Sequence, residues 1–440
     1  MIDEIAQGLR AVSWQALSEA ARRKLLLCLL ANLSVAVAGR SAMRLPRPPA
    51  GTGHLLLDGG QTGSAREAAF YNAALMHART QDDFHPIGNL HIATVVLPAL
   101  LAEAERRQVS GEAFLDALAV GYAASVGLSR QFSPLSTPHG LRSTCLYTSL
   151  GAAAAVARLR DQDARALANT MALASQSAFG TTQCWRDGSD EYQLHTANAA
   201  SQALLCAELS EAGVVGGAHA LDGVCGFYSA LMGQTPAFER IAADFDADAA
   251  IVESVLKRYP VSGICQPVVR LAERLAEKLA SELAGRRVLQ VLIEMNPFEM
   301  NYPGTLNAGP EFHSFSDRLM SARFCAASVL EAGRFDFDAF VRPLSAEAAR
   351  LVAASDVRAA EDLGTLSCRI SVTTEGGQRL DGELRDGGRE LAIEWDTIDA
   401  WTRELWEAAG RDAVACERAR QAVVSLPRTP FAELRDALRA

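Results

Sequence analysis

The first half of this 440-residue sequence is a succession of apolar helical segments, with no alternation of strand and helix. Residues 11–38, 66–78, 94–107, 110–128 and 151–159 all carry this pattern, and their apolar residues are mostly Ala, Leu and Val. Apolar residues make up 49% of the chain but aromatic residues only 6%, which is typical of helices that pack closely through small side chains. The sequence therefore predicts a mainly α protein.

The pattern changes after Pro260. Residues 287–295 have the length and β-branched content of a strand, and residues 368–384 alternate as a hairpin around two glycines. A chain of 440 residues is also too long for one compact core. We therefore predict two domains: a large all-helical domain over residues 1–255, with residues 405–440 packing back on it, and a smaller α+β lid domain over residues 256–404.

Two polar stretches interrupt the helical half of the chain. Residues 130–148 are rich in Ser, Thr, Pro and Gly, and residues 180–195 are also polar, so both are predicted to be loops. Before the first of them, Ser110 precedes a long apolar run and is the predicted N-cap of a helix.

Charge and cysteine usage exclude several classes of protein. The net charge is −10 and no basic stripe stands out, so the sequence predicts no binding to nucleic acid. The nine cysteines form no CxxC pair, which indicates neither a zinc knuckle nor a disulfide framework. Scattered cysteines that act as small buried apolar residues suit a reducing compartment, and we expect a cytoplasmic protein.

The N-terminal region contains a basic cluster followed by an apolar run, residues 22–39, that imitates a signal peptide. A polar stretch precedes it, and Asn32 and Ser34 interrupt it. At about 15 residues the apolar run is also short for a membrane span. We therefore predict a buried core helix and no association with a membrane.

The segment most suited to chemistry is residues 81–101, in which Asp82 and Asp83 precede His85 and His91 and an apolar helix follows. Carboxylates beside imidazoles are suited to proton transfer. A structural alternative is that the aspartate pair caps the following helix or binds loop amides, and His85 has a structural interpretation as well as a functional one. The ligand spacing matches no standard zinc or iron site, so no metal is predicted.

Several segments, taken in order, resemble the MmgE/PrpD family. They are DDFHPIGNLH at 82–91, the helix that starts at Ser110, GAAAAVARL at 151–159, ASQ at 174–176, LHTANAA at 194–200, LDGVCGFYSAL at 221–231, KRYP at 257–260 and NYPG at 301–304. The resemblance implies a helical domain capped by an α+β lid, a homodimer, and no metal or organic cofactor. It also implies a reaction at the carbon beside a carboxylate of a small di- or tricarboxylate.

The resemblance also assigns catalytic roles. His91 occupies the family's second-histidine position and is the predicted base, while Asp82 or Asp83 orients it or shares the proton work. Tyr302, in NYPG, is the predicted donor of a proton or hydrogen bond, with the packing of a turn as its structural alternative.

Binding roles follow from the same matches. Lys257 is expected to pair with a substrate carboxylate, its alternative being a solvated helix end. His195 and His85 are further predicted substrate-binding residues. His77, on the helix before the motif, is placed where it can reach the cleft, without an assigned role. Surface or packing positions are expected for His54, His219 and His313, and His139 has no assigned partner.

Three departures from the family pattern affect the predicted site. Arg142 stands where the family usually has a histidine, Tyr192 where it has a lysine, and Gln266 where it has a histidine. Arg142 cannot act as a base near neutral pH but can clamp a carboxylate with two hydrogen bonds. Tyr192 is a possible weak acid. These replacements indicate a substrate or reaction that differs from those of standard members.

The main hypothesis is a cofactor-independent lyase or isomerase that acts on a small carboxylate by dehydration or epimerisation. One alternative is a divergent biosynthetic enzyme of the same fold that acts on an unusual nitrogen-containing or cyclising intermediate. The other is a non-catalytic binding homologue that keeps the fold.

Overall fold

A computed structural model describes residues 1–234, 236–237, 244–309, 312 and 314–439, so His313 lies outside the described part of the chain. Helices account for 58% of the structure and the sheets are small, which confirms the mainly α class. The chain forms two compact units. Unit 1 comprises Met1–Thr181, Tyr192–Val255 and Glu394–Ala440, and unit 2 comprises Thr182–Glu191 and Leu256–Ile393.

The helices within the described residues are, in chain order, α1 (Ile2–Ala11), α2 (Glu19–Ala38), α3 (Ala65–Ala78), α4 (Ala93–Ala104), α5 (Gly111–Ser129), α6 (Ser133–Ser136), α7 (Ser143–Leu159), α8 (Ala164–Ala174), α9 (Gln183–Asp187), α10 (Glu191–Glu211) and α11 (Phe227–Met232). They continue with α12 (Ala247–Val252), α13 (Gln266–Glu282), α14 (Pro297–Asn301), α15 (Phe315–Met320), α16 (Ala322–Ala332), α17 (Asp338–Val341), α18 (Ala346–Ala353), α19 (Gly387–Glu390), α20 (Ile398–Ala408), α21 (Ala413–Ser425) and α22 (Phe431–Arg439).

Helix α2 is the apolar N-terminal segment, and it lies in the core of unit 1. It alone among the described helices is long and apolar enough to cross a membrane, yet 78% of its most apolar stretch is buried inside the structure. Its two polar interruptions are satisfied there: Asn32 Nδ2 donates to the carbonyl of Cys28 at 2.8 Å, and Ser34 accepts a hydrogen bond from Trp406 at 3.0 Å. The predicted core helix is confirmed.

Close packing through small residues holds helices α4, α5 and α7 together in unit 1. A methyl group on Gly121 would collide with Val96, and one on Gly151 would collide with the hydroxyl of Ser125. At these two positions only glycine allows the helices to approach so closely. The predicted N-cap of α5 is also confirmed, because Ser110 Oγ accepts from the backbone N–H of Ala113 at 3.1 Å.

The two predicted loops, residues 130–148 and residues 180–195, are shorter than expected, and both predictions were wrong where helices form within these ranges. Within residues 130–148 helix α6 is formed and α7 already begins at Ser143. The hydroxyl groups of Thr148 and Ser149 donate hydrogen bonds to backbone carbonyls one turn earlier in α7. A sequence rich in hydroxyl groups therefore continues as a helix. Within residues 180–195 helix α9 is formed, and α10 begins at Glu191, whose charge suits the first turn of a helix.

The strands are β1 (His54–Leu55), β2 (Gln61–Thr62), β3 (Val288–Met295), β4 (Ser355–Ala359), β5 (Cys368–Thr374) and β6 (Arg379–Leu384). The last four form the sheet of unit 2 in the order β4-β3-β5-β6, with β3 and β4 parallel and the other pairs antiparallel. Val291 of β3 stands opposite Val372 of β5. The predicted strand and hairpin are confirmed, and Gly376 and Gly377 turn the hairpin with φ of +89° and +81°.

Helices α13, α16 and α18 pack against this sheet. Helix α13 is amphipathic, and its buried Val268, Leu271 and Leu275 belong to the face that meets β5 and β6. On β3 the buried residues alternate as Val291, Ile293 and Met295, the spacing of one sheet face. Unit 2 is thus a helix layer on a four-stranded sheet.

Candidate functional site

The motif Asp82 to His91 lies on a loop of unit 1 that joins α3 to α4. Backbone hydrogen bonds hold the loop at several points. Phe84 and Val255 exchange N–H···O bonds of 2.8 and 2.7 Å, and the N–H of His85 donates to the carbonyl of Leu90 at 2.8 Å. A loop fixed in this way presents its side chains from a defined position.

Asp83 ties this loop to the helices around it. Its carboxylate accepts from the N–H of Ala93, at the start of α4, at 3.0 Å and from the hydroxyl of Tyr122 at 2.5 Å. Its own N–H donates to Asn32 at 3.0 Å. Burial and the charge of Asp83 raise the pKa of Tyr122 well above its usual value. The structural interpretation of the aspartate pair, as a helix cap, therefore applies to Asp83.

Asp82 bridges two imidazole rings. Its carboxylate oxygens lie 3.0 and 3.1 Å from Nδ1 of His77, and Oδ2 lies 3.2 Å from Nδ1 of His91. The two rings meet edge to face, with 4.9 Å between their centroids. Asp82 and His77 are buried, at 1% and 0% exposure. One buried carboxylate thus orients both rings.

The tautomer of His77 follows from the group on its other side. Its Nε2 contacts a terminal nitrogen of the Arg142 guanidinium, which can only donate a hydrogen bond. Nε2 must therefore be the acceptor, and Nδ1 carries the ring proton that is donated to Asp82. Burial, together with Arg142 and His91, lowers the pKa of His77 to about 3 despite the opposing effect of Asp82. His77 is a neutral ring in the site.

His91 has the complementary arrangement. Its Nδ1 lies 3.1 Å from the backbone carbonyl of Asp83 and 3.2 Å from Oδ2 of Asp82, and both oxygens are acceptors. Nδ1 therefore carries the proton, and in the neutral ring Nε2 holds the lone pair. The side chain is 16% exposed, whereas that of His77 is fully buried. Its backbone N–H donates to the hydroxyl of Thr144 at 3.2 Å, which fixes the residue to α7.

Arg142 stands immediately before α7, and its side chain is 2% exposed. One terminal nitrogen donates to the carbonyl of Tyr192 at 2.8 Å and lies 3.3 Å from Nδ1 of His195, while the other contacts His77. The guanidinium is thus directed at protein acceptors. Its predicted role as a clamp for a substrate carboxylate stays a prediction.

His195 lies in the second turn of α10 and is half-buried. Because its Nδ1 faces the N–H of Arg142, Nδ1 accepts and Nε2 carries the ring proton. Burial, with the charge of Arg142, lowers the pKa of His195 to about 3. His195 is therefore a neutral ring that offers one N–H donor.

Tyr192 is fully buried, and its hydroxyl braces the end of α3. The hydroxyl donates to the carbonyl of Ala78 at 2.9 Å and accepts from Gln193 at 2.9 Å, while the ring stands edge-on to His77 at 5.6 Å. These contacts favour a positioning role. Its predicted role as a weak acid stays a prediction.

His85 is engaged at both ring nitrogens. Nδ1 accepts from the N–H of Gly88 at 3.1 Å, and Nε2 donates to Glu253 at 3.1 Å. Arg130 also contacts that carboxylate, at 2.5 Å. Burial lowers the pKa of His85 to about 4. This arrangement favours the structural interpretation, and the predicted binding role stays a prediction.

The three remaining predicted residues lie in unit 2. Lys257 is buried, at 0% exposure. Gln266 accepts from the N–H of Tyr259 at 3.1 Å and donates to its carbonyl at 2.8 Å, which braces the turn after Lys257. Tyr302 follows α14, and its ring lies 6.2 Å from that of Phe298. Their predicted roles in catalysis and binding stay predictions.

The ligand atoms of His77, Asp82 and His91 lie within 4.8 Å of one another, which raises the question of a metal ion. Nδ1 is the nitrogen of each ring that faces Asp82, so a cation bound between these three groups would need the lone pair of Nδ1. Arg142 places the proton of His77 on Nδ1, and the carbonyl of Asp83 does the same for His91. The donor set therefore fits a hydrogen-bonded proton network better than a cation.

His77 is the residue to which sequence analysis gave no role and which the structure places at the centre of the cluster. Its only sequence signal was an imidazole at the end of the helix before the motif. Its partner Arg142 is 65 positions away, so the contact itself left no local pattern.

Unit 1 is mainly helical, not all-helical as predicted, because β1 and β2 form a small antiparallel sheet within it. Its carboxylate, two imidazoles and buried arginine are in contact and form an acid–base cluster. The sequence profile of the MmgE/PrpD N-terminal domain matches residues 3–239, more than half of the chain. The chain therefore belongs to the MmgE/PrpD family, whose members are typically lyases or dehydratases. No curated protein matches the chain at a significant level.

Proposed function

We propose that this protein is a cofactor-independent lyase that removes a proton from the carbon beside a carboxylate of a small di- or tricarboxylate. The observation that carries the proposal is the contact of one carboxylate, Asp82, with Nδ1 of both His77 and His91. This contact turns Nδ1 of His91 toward the buried Asp82. The lone pair of the neutral His91 ring is therefore on Nε2, and His91 is the more exposed of the two rings. Membership in a family of lyases and dehydratases supports the same reaction class.

A hydrogen beside a carboxylate is only weakly acidic, so the reaction needs a base that works near neutral pH and a means to stabilise negative charge. Imidazole is such a base. When Nε2 of His91 takes the proton, the ring becomes a cation whose Nδ1–H already contacts Asp82. That hydrogen bond becomes charge-assisted, which stabilises the product of proton transfer.

Negative charge that develops on the substrate is stabilised, in this proposal, by two groups that are hydrogen-bonded in series to His77, namely Arg142 and His195. The Arg142 cation supplies a fixed positive charge in a buried environment, where electrostatic interactions are stronger than in water. The neutral ring of His195 offers the N–H of Nε2. Arg142 and His195 both keep their protonation state throughout the reaction. This constancy is what preorganised electrostatic stabilisation requires.

Elimination is proposed ahead of epimerisation. In elimination the electrons of the C–H bond form the alkene, the C–O bond of the neighbouring hydroxyl breaks, and His91 returns the proton from Nε2 to the departing hydroxide, which leaves as water. Epimerisation needs a second proton donor on the opposite face of the carbon, and Tyr192, the predicted donor in unit 1, directs its hydroxyl at the carbonyl of Ala78. Tyr302 of unit 2 is the remaining predicted donor. The lid role of the α+β unit and a homodimeric assembly belong to the same proposal and rest on the family resemblance. A cytoplasmic location is proposed from the scattered cysteines.

The proposal is tested by incubating the protein with small hydroxylated and unsaturated di- and tricarboxylic acids in deuterium oxide, followed by proton NMR. We expect alkene signals to appear for at least one acid, with loss of water or carbon dioxide and no change with heat-denatured protein. Exchange of the hydrogen beside the carboxylate without any alkene would replace elimination by epimerisation. Neither exchange nor alkene across the panel would contradict the proposal.

A further inference from the structure

The guanidinium of Arg142 connects two of the histidines in unit 1. One terminal nitrogen contacts Nε2 of His77 on α3, and the other lies 3.3 Å from Nδ1 of His195 on α10. The same nitrogen also donates to the carbonyl of Tyr192 at 2.8 Å. The single buried side chain of Arg142 therefore contacts hydrogen-bond acceptors on two helices.

We propose that Arg142 is a positioning residue that fixes the ring proton of His77 on Nδ1 and that of His195 on Nε2. It thereby sets the direction of the hydrogen bonds that run through Asp82 to His91. The identification of His91 as the base rests on the proposed function. The tautomers themselves follow from the contacts of Arg142 alone.

The first step of the argument concerns His77. A guanidinium has no acceptor, so a ring nitrogen in contact with it accepts, and the proton goes to the other nitrogen. In the opposite tautomer the N–H of Nε2 would face the N–H of Arg142, and the lone pair of Nδ1 would face Asp82 at 3.0 Å. Both contacts would then be repulsive. Arg142 and Asp82 therefore require the same tautomer of His77, in which Nδ1 carries the proton and donates it to Asp82.

The second step concerns Asp82 and His91. Oδ2 of Asp82 lies 3.0 Å from Nδ1 of His77 and 3.2 Å from Nδ1 of His91, so it accepts from both rings. Two donors stabilise the ionised carboxylate. An ionised Asp82 in turn holds the proton of His91 on Nδ1. The orientation set at Arg142 thus reaches the proposed base through three hydrogen bonds in series: Arg142 to His77, His77 to Asp82, and His91 to Asp82.

The third step concerns the choice of arginine. The planar fork of a guanidinium reaches separate acceptors in fixed directions, which a lysine ammonium on a flexible chain does not do. Arg142 is 2% exposed and Asp82 is 1% exposed, with the neutral ring of His77 between them. The buried cation lies at Nε2 of the imidazole and the buried carboxylate lies at Nδ1. Together they favour the tautomer with the lone pair on Nε2 and the proton on Nδ1.

The test measures the 15N shifts of histidine side chains in protein labelled at its eight histidines, with H77Q and H195Q used for assignment. In the wild type we expect His77 protonated at Nδ1 and His195 at Nε2, unchanged from about pH 5 to about pH 9. In R142M, His195 no longer faces a guanidinium N–H and loses its single-tautomer signature. His77 still donates from Nδ1 to Asp82, but without the opposing cation it takes up a second proton at a higher pH than in the wild type. R142K keeps a cation without the fork and reproduces the wild-type behaviour at one of the two rings at most.

R160M is the matched control, because Arg160 is also a buried arginine of unit 1 but its ion pairs are with Glu103, Glu208 and Glu211. We expect its histidine shifts to match the wild type. An unchanged tautomer of His195 or an unchanged titration of His77 in folded R142M would overturn the inference, and R142K serves if R142M does not fold. A wild-type His77 protonated at Nε2, or charged, overturns it without any variant. Since no turnover is measured, failure to find a substrate would contradict the proposed function and leave this result intact.

Discussion

The imidazoles of His77 and His91 stand edge to face, 4.9 Å apart between ring centroids, and share the carboxylate of Asp82 through their Nδ1 atoms. They differ in access to solvent: the side chain of His77 is fully buried and that of His91 is 16% exposed. Burial, together with Arg142, keeps the ring of His77 neutral, and the more exposed ring of His91 has its lone pair on Nε2. This division of roles leads to distinct expectations for each residue.

Replacement of His91 by asparagine tests its role as the base. The amide nitrogen of asparagine takes the place of Nδ1 and keeps a donor for Asp82 and the carbonyl of Asp83, but nothing replaces Nε2. We expect kcat to fall by about 10²- to 10⁴-fold, the usual contribution of a general base. The measurement is steady-state kinetics with the substrate identified by NMR.

H219Q is the control, because His219 has an exposed side chain. It should retain wild-type kcat and KM. If H91N kept full activity while folded, another group would have to be the base.

The two aspartates are expected to respond differently to replacement by asparagine. D83N places an amide N–H against either the N–H of Ala93 or the hydroxyl of Tyr122, both of which now donate to the carboxylate. A buried donor without an acceptor costs about 1–3 kcal/mol, so the free energy of unfolding should fall by that amount. Urea denaturation measures it.

D82N should instead act mainly on the reaction, since it removes the charge that stabilises protonated His91. We expect a large loss of kcat at a pH where the variant is folded. Equal effects of D82N and D83N on both stability and kcat would contradict the separate roles.

Local features of the fold were predictable from sequence, and long-range contacts were not. The hairpin at residues 368–384 follows from alternation around two glycines, and the N-cap at Ser110 follows from its place before an apolar run. Sequence patterns did not predict the start of α7 at Ser143, because the many hydroxyl side chains indicated a loop. In the structure these hydroxyl groups donate hydrogen bonds to backbone carbonyls of their own helix.

In the site, the sequence motif indicated His91 and both aspartates. It did not show that Asp83 accepts a hydrogen bond from the start of α4, or that Asp82 contacts both imidazole rings. Those assignments depend on the path of the loop between residues 82 and 93. The contact of Arg142 with His77 joins two residues 65 positions apart in the sequence, which no local pattern encodes.

Chelation tests the chemistry of the cluster. Because both Nδ1 atoms carry protons, we expect an excess of a chelator to leave kcat and thermal stability unchanged, and metal analysis to find no stoichiometric ion. A stoichiometric metal whose removal lowers the melting temperature would reverse the tautomer assignment of His77 and His91.

Acidification should destabilise unit 1 through its neutral histidines. Burial lowers the pKa of His77 and of His195 to about 3, and that of an unfolded histidine is about 6.5. Stability from these rings is therefore fully present above about pH 6.5 and is lost as the pH falls toward about 3, since the unfolded chain binds the protons first. We expect the midpoint of urea unfolding to fall over this window. In H77Q the fall should be smaller, and an unchanged slope would contradict the assigned cause.

A buried carboxyl in unit 2 predicts the opposite dependence on pH. Burial raises the pKa of Glu299 to about 7, and its side chain is 3% exposed. One of its oxygens accepts from the N–H of Leu366 at 2.9 Å, and the other has no hydrogen-bond partner among the described residues. Stability from the protonated carboxyl is fully present below the unfolded pKa of about 4.3 and is lost as the pH rises through about 7.

E299Q should therefore melt at a higher temperature than the wild type above about pH 8, because the amide keeps an acceptor for Leu366 and cannot ionise. Below about pH 4 the two proteins should melt within a degree or two of each other. E347Q is the matched control: Glu347 has an exposed side chain paired with Arg350, and its replacement should give no advantage at high pH. A melting temperature of E299Q that parallels the wild type across the whole pH range would show that Glu299 does not ionise in the folded protein.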